Sequence, residues 1–363
     1  MKEILVAVAD YPDVEGNKSL LYVHTRNLFY KKNNIIVDVL NFKAKKSYII
    51  DDIHVITLDE YIKNKKVYNI LILHAPNIRN HFFFLNKYGQ YFKKFIFFFH
   101  GHEIIKLNKM YPPKYSYMKD SFIRNKFQDV YDSFKLMIWK KYLPKIACKS
   151  FYIFVSKNLL YEFLELTNLD IKLLKDNVYI INNGVGEYFK SHSYNVNCEK
   201  KYDFISIRSN LDSSVYCVDL LCKLALLNPE LKFLLIGRGR WFKYNEKPKN
   251  VIWIDRYLNH SEMMQYIDES RVALMLTRRD SQGVMSCELA TYGIPVVTSD
   301  LKVCHEMFDD VVNVIYLNND NLEDVDLKKL EFINQYEKCK KYYSCNTEEK
   351  ELTLIKRAIG EKK

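Results

Sequence analysis

Between residues 203 and 298, short β-branched and aliphatic runs alternate with stretches of helical spacing every ~20 to 25 residues, a rhythm that confines the chain to parallel-sheet α/β folds. A parallel strand needs a crossover helix to bring the chain back, and this pattern supplies one each time. The strand candidates here are 203–207, 231–236, 251–254, 271–276 and 294–298. Val218, Leu221, Cys222 and Ala225 recur at helical spacing behind Ser213 and Ser214, and Asn228-Pro229 ends that helix. A second helix opens at Ser261, and a third runs from Gly283 to Tyr292 with Gly293 as its cap. The first half repeats the pattern less regularly, with strands expected over 4–9, 35–40, 54–57, 69–73, 95–99 and 151–155.

A chain of 363 residues is long for one core, so two Rossmann-like, doubly wound domains are expected, over 1–190 and 200–345. The polar, glycine- and serine-bearing stretch 184–201 reads as the linker between them. Leu352, Leu354, Ile355 and Ala358 mark an amphipathic C-terminal helix, expected over 346–363 and packing back on the first domain.

Several classes are disfavoured by composition. The longest apolar runs, such as 95–99, fall far short of the ~18 residues of a membrane span. The run 4–9 meets Asp10 with no basic segment before it and reads as a first strand, not a signal peptide. Eight cysteines lie scattered with no CxxC pair, which points to reduced thiols in a cytoplasmic protein and to neither a zinc site nor a disulfide framework. Charge is divided unevenly: residues 1–190 carry 30 Lys and Arg against 18 Asp and Glu, and the remainder 25 against 26. In the basic half cations interleave with aromatics, as in Lys87, Tyr88, Tyr91, Phe92, Lys93 and Lys94 and again from Lys106 through Lys145. Such a surface suits an anionic bilayer or a phosphorylated acceptor, and it equally suits a solvated basic face. No nucleic-acid-binding motif accompanies the charge.

In open parallel sheets ligands bind beyond the carboxyl ends of the strands. In the second half those ends offer Arg208, then Gly237-Arg238-Gly239-Arg240, then Asp255-Arg256-Tyr257, then the stretch from Thr277 to Gly283. Glycines that admit close approach, arginines suited to phosphate oxygens and a carboxylate suited to hydroxyls together fit a phosphorylated polyol. The sharpest signal is DSQGVMSCE, which sets Asp280 in a loop and Glu288 two turns into the following helix, among Val284, Met285, Leu289 and Ala290. A carboxylate buried there requires hydrogen-bond donors, which a ribose diol would supply; a solvent-facing Glu288 is the alternative.

The stretch from Asp280 through Glu288 and on through LATYGIPVVTSD to Asp300 resembles the E-x7-E motif and following strand of the family 4 retaining glycosyltransferases. Asn183-Gly184-Val185 is similar to that family's turn before the linker, Arg208 to its donor-binding arginine, Gly237-Arg238-Gly239 to its G-x-G, and His100-Gly101 to its N-domain histidine loop. The resemblance implies a GT-B fold and a retaining transfer of sugar from a nucleotide-sugar to a glycan or polyprenyl-linked acceptor, as in surface-polysaccharide synthesis of O-antigen or capsule type. It implies that Glu288 holds the ribose and Asp280 the transferred sugar. Backbone N–H groups of Gly283, Val284 and Met285 then approach sugar and phosphate, and Arg208 neutralises the departing diphosphate. Gly237, Arg256 and Tyr257 complete the donor side; Gly16, Asn17, His100 and His102 fall on the acceptor side. It implies no metal and no cofactor beyond the donor, while the cysteines and the basic first half lead to the expectation of a cytoplasmic protein at the inner face of the plasma membrane.

Two departures stand out. The family carries Glu where this chain has Asp280, and its lysine about six residues after the arginine is absent from Asn210-Leu211-Asp212-Ser213-Ser214-Val215. Ser213, Ser214 and the helix start behind them, or Arg240 or Arg278, are the candidates to replace it. His100-Gly101-His102-Glu103 lacks HExxH spacing and reads as acceptor-side rather than metal-binding, while His24 and His74 read as polar loop residues. A nucleotide-sugar epimerase of the same fold and a catalytically inactive binding subunit are the rival readings.

Overall fold

The computed structural model describes residues 4–17, 19–64, 68–330 and 336–360. The chain divides into two compact units, the first made of Met1–Leu107, Gln128–Asn183 and Ser344–Lys363, the second of Asn108–Phe127 and Gly184–Tyr343. Each has its own sheet.

The sheet of the first unit has eight strands: β1 (Ile4–Val8), β2 (Val37–Asn41), β3 (Tyr48–Ile50), β4 (Ile53–Ile56), β5 (Ile70–His74), β6 (Lys94–Phe99), β7 (Ser150–Phe154) and β8 (Val178–Ile180). Their spatial order is β3-β4-β2-β1-β5-β6-β7-β8. All neighbours are parallel except the β3/β4 edge hairpin. Near-continuous apolar runs such as Phe95–Phe99 follow from cover on both faces, since a strand buried on both sides has no polar alternation. The chain winds outward from β1 to one edge and from β5 to the other, so the switch point lies between β1 and β5.

The C-terminal helix Glu348–Ile359 belongs to this unit and is held by a buried ion pair. Arg26 Nε donates to both oxygens of Glu351 (2.9 and 3.1 Å), Tyr30 donates to Glu351 Oε2 (2.7 Å), and Arg26 Nη2 donates to Asn183 Oδ1 (2.7 Å). Every donor faces an acceptor, which is the condition for placing charge in a core.

In the second unit six parallel strands run β9 (Tyr202–Asn210), β10 (Phe233–Arg238), β11 (Val251–Ile254), β12 (Ser270–Met275), β13 (Val296–Ser299) and β14 (Val314–Leu317). Their order is β11-β10-β9-β12-β13-β14, so the switch point falls between β9 and β12. Alternate residues serve two cores: Ile205, Leu234 and Ile236 pack into one, and Phe204, Phe233 and Leu235 into the other. Tyr115 and Tyr117 extend the second core, where Tyr115 lies 4.3 Å from the Trp241 ring and Tyr117 stacks on Tyr244 at 4.3 Å.

Some expectations are corrected. The stretch 184–201 is not wholly irregular, because Glu187–Ser191 is helical. Strands β3, β8 and β14 are additional; they are only three or four residues long and too short to show a period. Neither His24 nor His74 is a loop residue. His24 lies on the Leu21–Lys32 helix between Tyr11 and Asp51 (2.9 and 2.8 Å), and His74 ends β5, fully buried against Phe98.

Candidate functional site

The switch point of the second unit opens into a cavity of about 470 Å³, within the ~300–1,000 Å³ usual for ligand pockets. Four strand ends supply its walls: Arg208 and Ser209 from β9, Gly237 from β10, Arg256 to Leu258 after β11, and Asp280 with Gly283 to Ser286 and Glu288 after β12.

Local chemistry explains the last of these. Asp280 Oδ1 accepts the N–H groups of Ser281 (2.8 Å) and Gln282 (3.1 Å), closing a turn that leads into the helix Val284–Tyr292. Gly283 precedes that helix at φ +75°, where a side chain is strained, and a Cβ there would lie 3.3 Å from Asp280 Oδ2. No side chain caps the helix, so its first N–H groups are left to water or to a ligand beside the cavity. On the opposite face Cys287, Leu289 and Ala290 are buried in the core and fix its direction.

Glu288 stands one turn into the helix rather than two. Its Oε1 accepts the Gly186 N–H at 3.2 Å, and Gly186 is pressed so close that a Cβ would sit 3.3 Å from the same oxygen. Burial pushes the Glu288 pKa up to about 7, against the lowering effect of the Gly186 hydrogen bond. The acid therefore lacks donors rather than being saturated with them.

Arg208 is 7% exposed and lies against the Tyr216 ring at 5.2 Å. Nη2 donates to the Leu276 carbonyl (2.5 Å), while Nε is buried with no protein partner. Burial pulls its pKa down from the ordinary guanidinium value. A cation held this way favours an incoming anion, because a buried donor is left unmet.

The Gly237-Arg238-Gly239 stretch is explained by strand packing. Gly237 has φ +148°, and a Cβ there would come within 2.0 Å of the Arg208 carbonyl oxygen; one on Gly239 would reach 2.7 Å from Leu211 Cβ. These glycines let β10 close on β9 across an irregularity in register. None of the proposed substitutes for the absent lysine, Ser213, Ser214, Arg240 or Arg278, lines the cavity. Arg278 is bound bidentately by Asp219 (2.9 and 2.6 Å), which also accepts from the Tyr115 hydroxyl (2.8 Å). Arg240 faces Asp212 at 3.6 Å, and Asp212 accepts from the Tyr117 hydroxyl (2.9 Å). Arg256 is at the cavity wall, paired with Glu262 (3.0 Å), and Tyr257 is 63% exposed beside it.

All nine residues predicted for the donor side thus line one cavity: Arg208, Gly237, Arg256, Tyr257, Asp280, Gly283, Val284, Met285 and Glu288. Sequence reasoning missed Tyr216, Ser209, Ser286, Leu258 and Met263, whose types are common and whose positions only the fold reveals. The residues predicted for the acceptor side lie in the first unit. His100 follows β6 with Nε2 3.3 Å from His74 Nδ1, and burial, with Arg26 nearby, holds both imidazoles well below their ordinary pKa. His74 Nε2 has no protein partner. Glu103 accepts the N–H groups of His100 and Gly101, and the buried Lys135 donates to the carbonyls of His102 (2.7 Å) and Ile105 (2.8 Å), so this loop is tightly framed. Gly16 (φ +102°) is in the turn after β1, where Asn17 donates to Asp10 Oδ1 (3.1 Å) and the Tyr11 carbonyl (3.0 Å). Among the described residues no group of three His, Cys, Asp or Glu is arranged to hold a metal ion, and no helix is long and apolar enough to cross a membrane.

Comparison with known proteins bears on this geometry. Residues 209–330 match the family model described as "Glycosyl transferases group 1". No curated protein sequence matches the chain. Among solved structures it is similar to TarM, at 12% identity and a TM-score of 0.65 over 99% of this chain and 98% of that one. A glycosyltransferase from Rickettsia africae gives 13% identity and 0.63 over 99% of both chains. HepE of Anabaena, solved in complex with UDP and glucose, gives 11% and 0.60 over 100% of both. The two-sheet architecture is a GT-B fold, and the part of the chain that supplies most of the cavity wall matches the group 1 glycosyl transferases.

Proposed function

We propose that the chain transfers a sugar from a nucleotide-sugar donor to a hydroxyl of a glycan or polyprenyl-linked acceptor, with retention at the sugar carbon. The observation that carries this reading is the meeting of Arg208, Asp280 and Glu288 at one cavity, two of them with unmet hydrogen-bonding capacity. A diphosphate nucleoside sugar offers what each lacks. Its ribose hydroxyls donate to Glu288, its diphosphate oxygens accept from Arg208 Nε and the first turn of the Val284–Tyr292 helix, and its sugar hydroxyls donate to the free edge of Asp280. Tyr257 and Arg256, on the cavity wall after β11, are the residues this reading assigns to the base. HepE with UDP and glucose, and an Escherichia coli structure bound with UDP-2-fluoro glucose, support a donor of this class.

In the reaction the bond from the sugar carbon to the diphosphate oxygen breaks, and the acceptor hydroxyl bonds to the same face of that carbon. Charge grows on the leaving diphosphate, so a fixed cation lowers the barrier most at Arg208. As proposed, the transfer uses the donor as its small molecule and calls on no metal. His100, with His102, Gly16 and Asn17, serves the acceptor; the pathway is assembly of a surface polysaccharide of O-antigen or capsule type, in the cytoplasm.

One observation favours a second reading, a catalytically inactive donor-binding subunit: Arg240 and Arg278 are both engaged by carboxylates, which leaves Arg208 without a second unpaired cation at the cavity wall. Turnover of a panel of nucleotide-sugars, with and without polyprenyl-linked acceptors, separates the two. Transfer by the wild type that is lost in Glu288→Ala supports the enzyme; donor binding with no transfer or hydrolysis supports the subunit.

A further inference from the structure

The stretch 210–217 follows Arg208 and carries no lysine, yet one of its residues lines the donor cavity: Tyr216. Its ring lies against Arg208, with the guanidinium carbon 5.2 Å from the ring centre. Among the described residues nothing is hydrogen-bonded to the Tyr216 hydroxyl. The hydroxyls of Tyr115 and Tyr117, by contrast, are taken by Asp219 and Asp212.

The turn that carries Tyr216 is firmly held. Ser214 accepts from Arg278 Nη1 at 2.8 Å, and Val215 accepts from the Arg278 backbone N–H at 2.9 Å and from Thr277 Oγ1 at 3.2 Å. Arg278 is itself fixed by Asp219. Cys217, the next residue, takes φ +55° at the start of the helix Val218–Leu227, a left-handed conformation that a β-carbon disfavours. Such strain persists where surrounding contacts over-determine it, and here the reversal leaves half-buried Tyr216 at the cavity and Cys217 in the core.

Elementary electrostatics say what a tyrosine can do in that place. Arg208 is a buried cation with no carboxylate partner among the described residues. A second cation set beside it would be repelled before any ligand arrived. A tyrosine instead offers the guanidinium the negative face of its ring and offers an anion a neutral O–H donor.

We propose that the Tyr216 hydroxyl is the second donor to the diphosphate of the nucleotide-sugar, acting beside Arg208 in place of a second cation. This rests on the donor reading above and adds to it that the clamp carries one fixed positive charge, not two. The departing diphosphate is then stabilised by one charge and one neutral hydrogen bond. The lack of a second unpaired cation at the wall thereby ceases to favour an inactive subunit.

The test is calorimetric titration of the full chain with UDP, ADP and GDP at ~50 and ~300 mM salt. Tyr216→Phe keeps the ring on Arg208 and removes only the hydroxyl. Affinity for whichever diphosphate the wild type takes is expected to fall at least ~5-fold, while affinity for the matching nucleoside, which has no phosphate, changes less than ~2-fold. Tyr216→Lys puts a cation at the same point, so the loss of diphosphate affinity between the two salt concentrations should be at least ~3-fold larger than in the wild type. That variant decides the matter should Tyr216→Phe fail to fold. Unchanged diphosphate binding by Tyr216→Phe, an equal loss of nucleoside and diphosphate affinity, or an unchanged salt dependence in Tyr216→Lys overturns the assignment of Tyr216 and leaves the donor reading intact. Failure of the wild type to bind any of the three diphosphates overturns both.

Discussion

Both units bury charge, but they treat it differently. In the first, Arg26, Glu351, Tyr30 and Asn183 satisfy one another, and Lys135 closes on Asp132 and two carbonyls. In the second, at the β9/β12 switch point, Arg208 keeps an unpartnered Nε and Glu288 has a single backbone donor at 3.2 Å. Buried polar groups in folded proteins are normally paired, so the saturated cluster reads as architecture and the unsaturated one as a place kept for a ligand. Three buried groups of the first unit are also unpartnered, Asn27 Oδ1, Trp139 Nε1 and His74 Nε2, and the last of them is beside His100, the residue assigned to the acceptor.

The largest expected effect breaks the saturated cluster. Glu351→Ala strands Arg26 in the core and should cost about 3–5 kcal/mol of stability, seen as a drop in the urea midpoint. An unchanged midpoint would mean that the pair does not hold the C-terminal helix.

Next comes the unsaturated acid. The folded pKa of Glu288, about 7, lies above its ordinary 4.5. Below pH ~4 both folded and unfolded states are protonated and nothing is lost. As pH rises toward 7 the unfolded chain ionises first, so stability should fall by at most about 3 kcal/mol and then level off. Glu288→Gln should flatten that part of the pH–stability curve. Donor affinity should change in the opposite sense, rising through pH 7 as the carboxylate forms and accepts the ribose hydroxyls. A pH-independent dissociation constant would count against ribose at Glu288.

Arg208→Ala should lower turnover at least ~10-fold, about 1.4 kcal/mol of lost transition-state stabilisation, read from kcat at saturating donor. Smallest of all, Arg278→Lys and Arg240→Ala should change turnover less than ~2-fold, or about 0.4 kcal/mol, because both arginines are spent on carboxylates. A tenfold loss in either would move that residue from scaffold to diphosphate clamp.

Much of this site was legible in the sequence because its parts are local. The strand-helix rhythm of 203–298 located the carboxyl ends of β9 to β12, and Asp280 and Glu288 are joined by one turn and one helix. What was not legible depends on contacts distant in sequence. Arg278 and Arg240 looked available until Asp219 and Asp212, together with Tyr115 and Tyr117 from a hundred residues upstream, were seen to hold them. His74 looked like a loop residue because its burial comes from β5 and β6 lying side by side. Gly237 looked like a phosphate-binding glycine, and its need for a missing Cβ comes from the Arg208 carbonyl on the next strand.

A crystal structure grown with a nucleotide-sugar, or with the nucleoside diphosphate it leaves behind, tests the central claim most directly. The ribose hydroxyls are expected within hydrogen-bond distance of Glu288 and the diphosphate against Arg208 Nε and the start of the Val284–Tyr292 helix. A nucleotide bound elsewhere, with Arg208 Nε still unpartnered, would contradict the account.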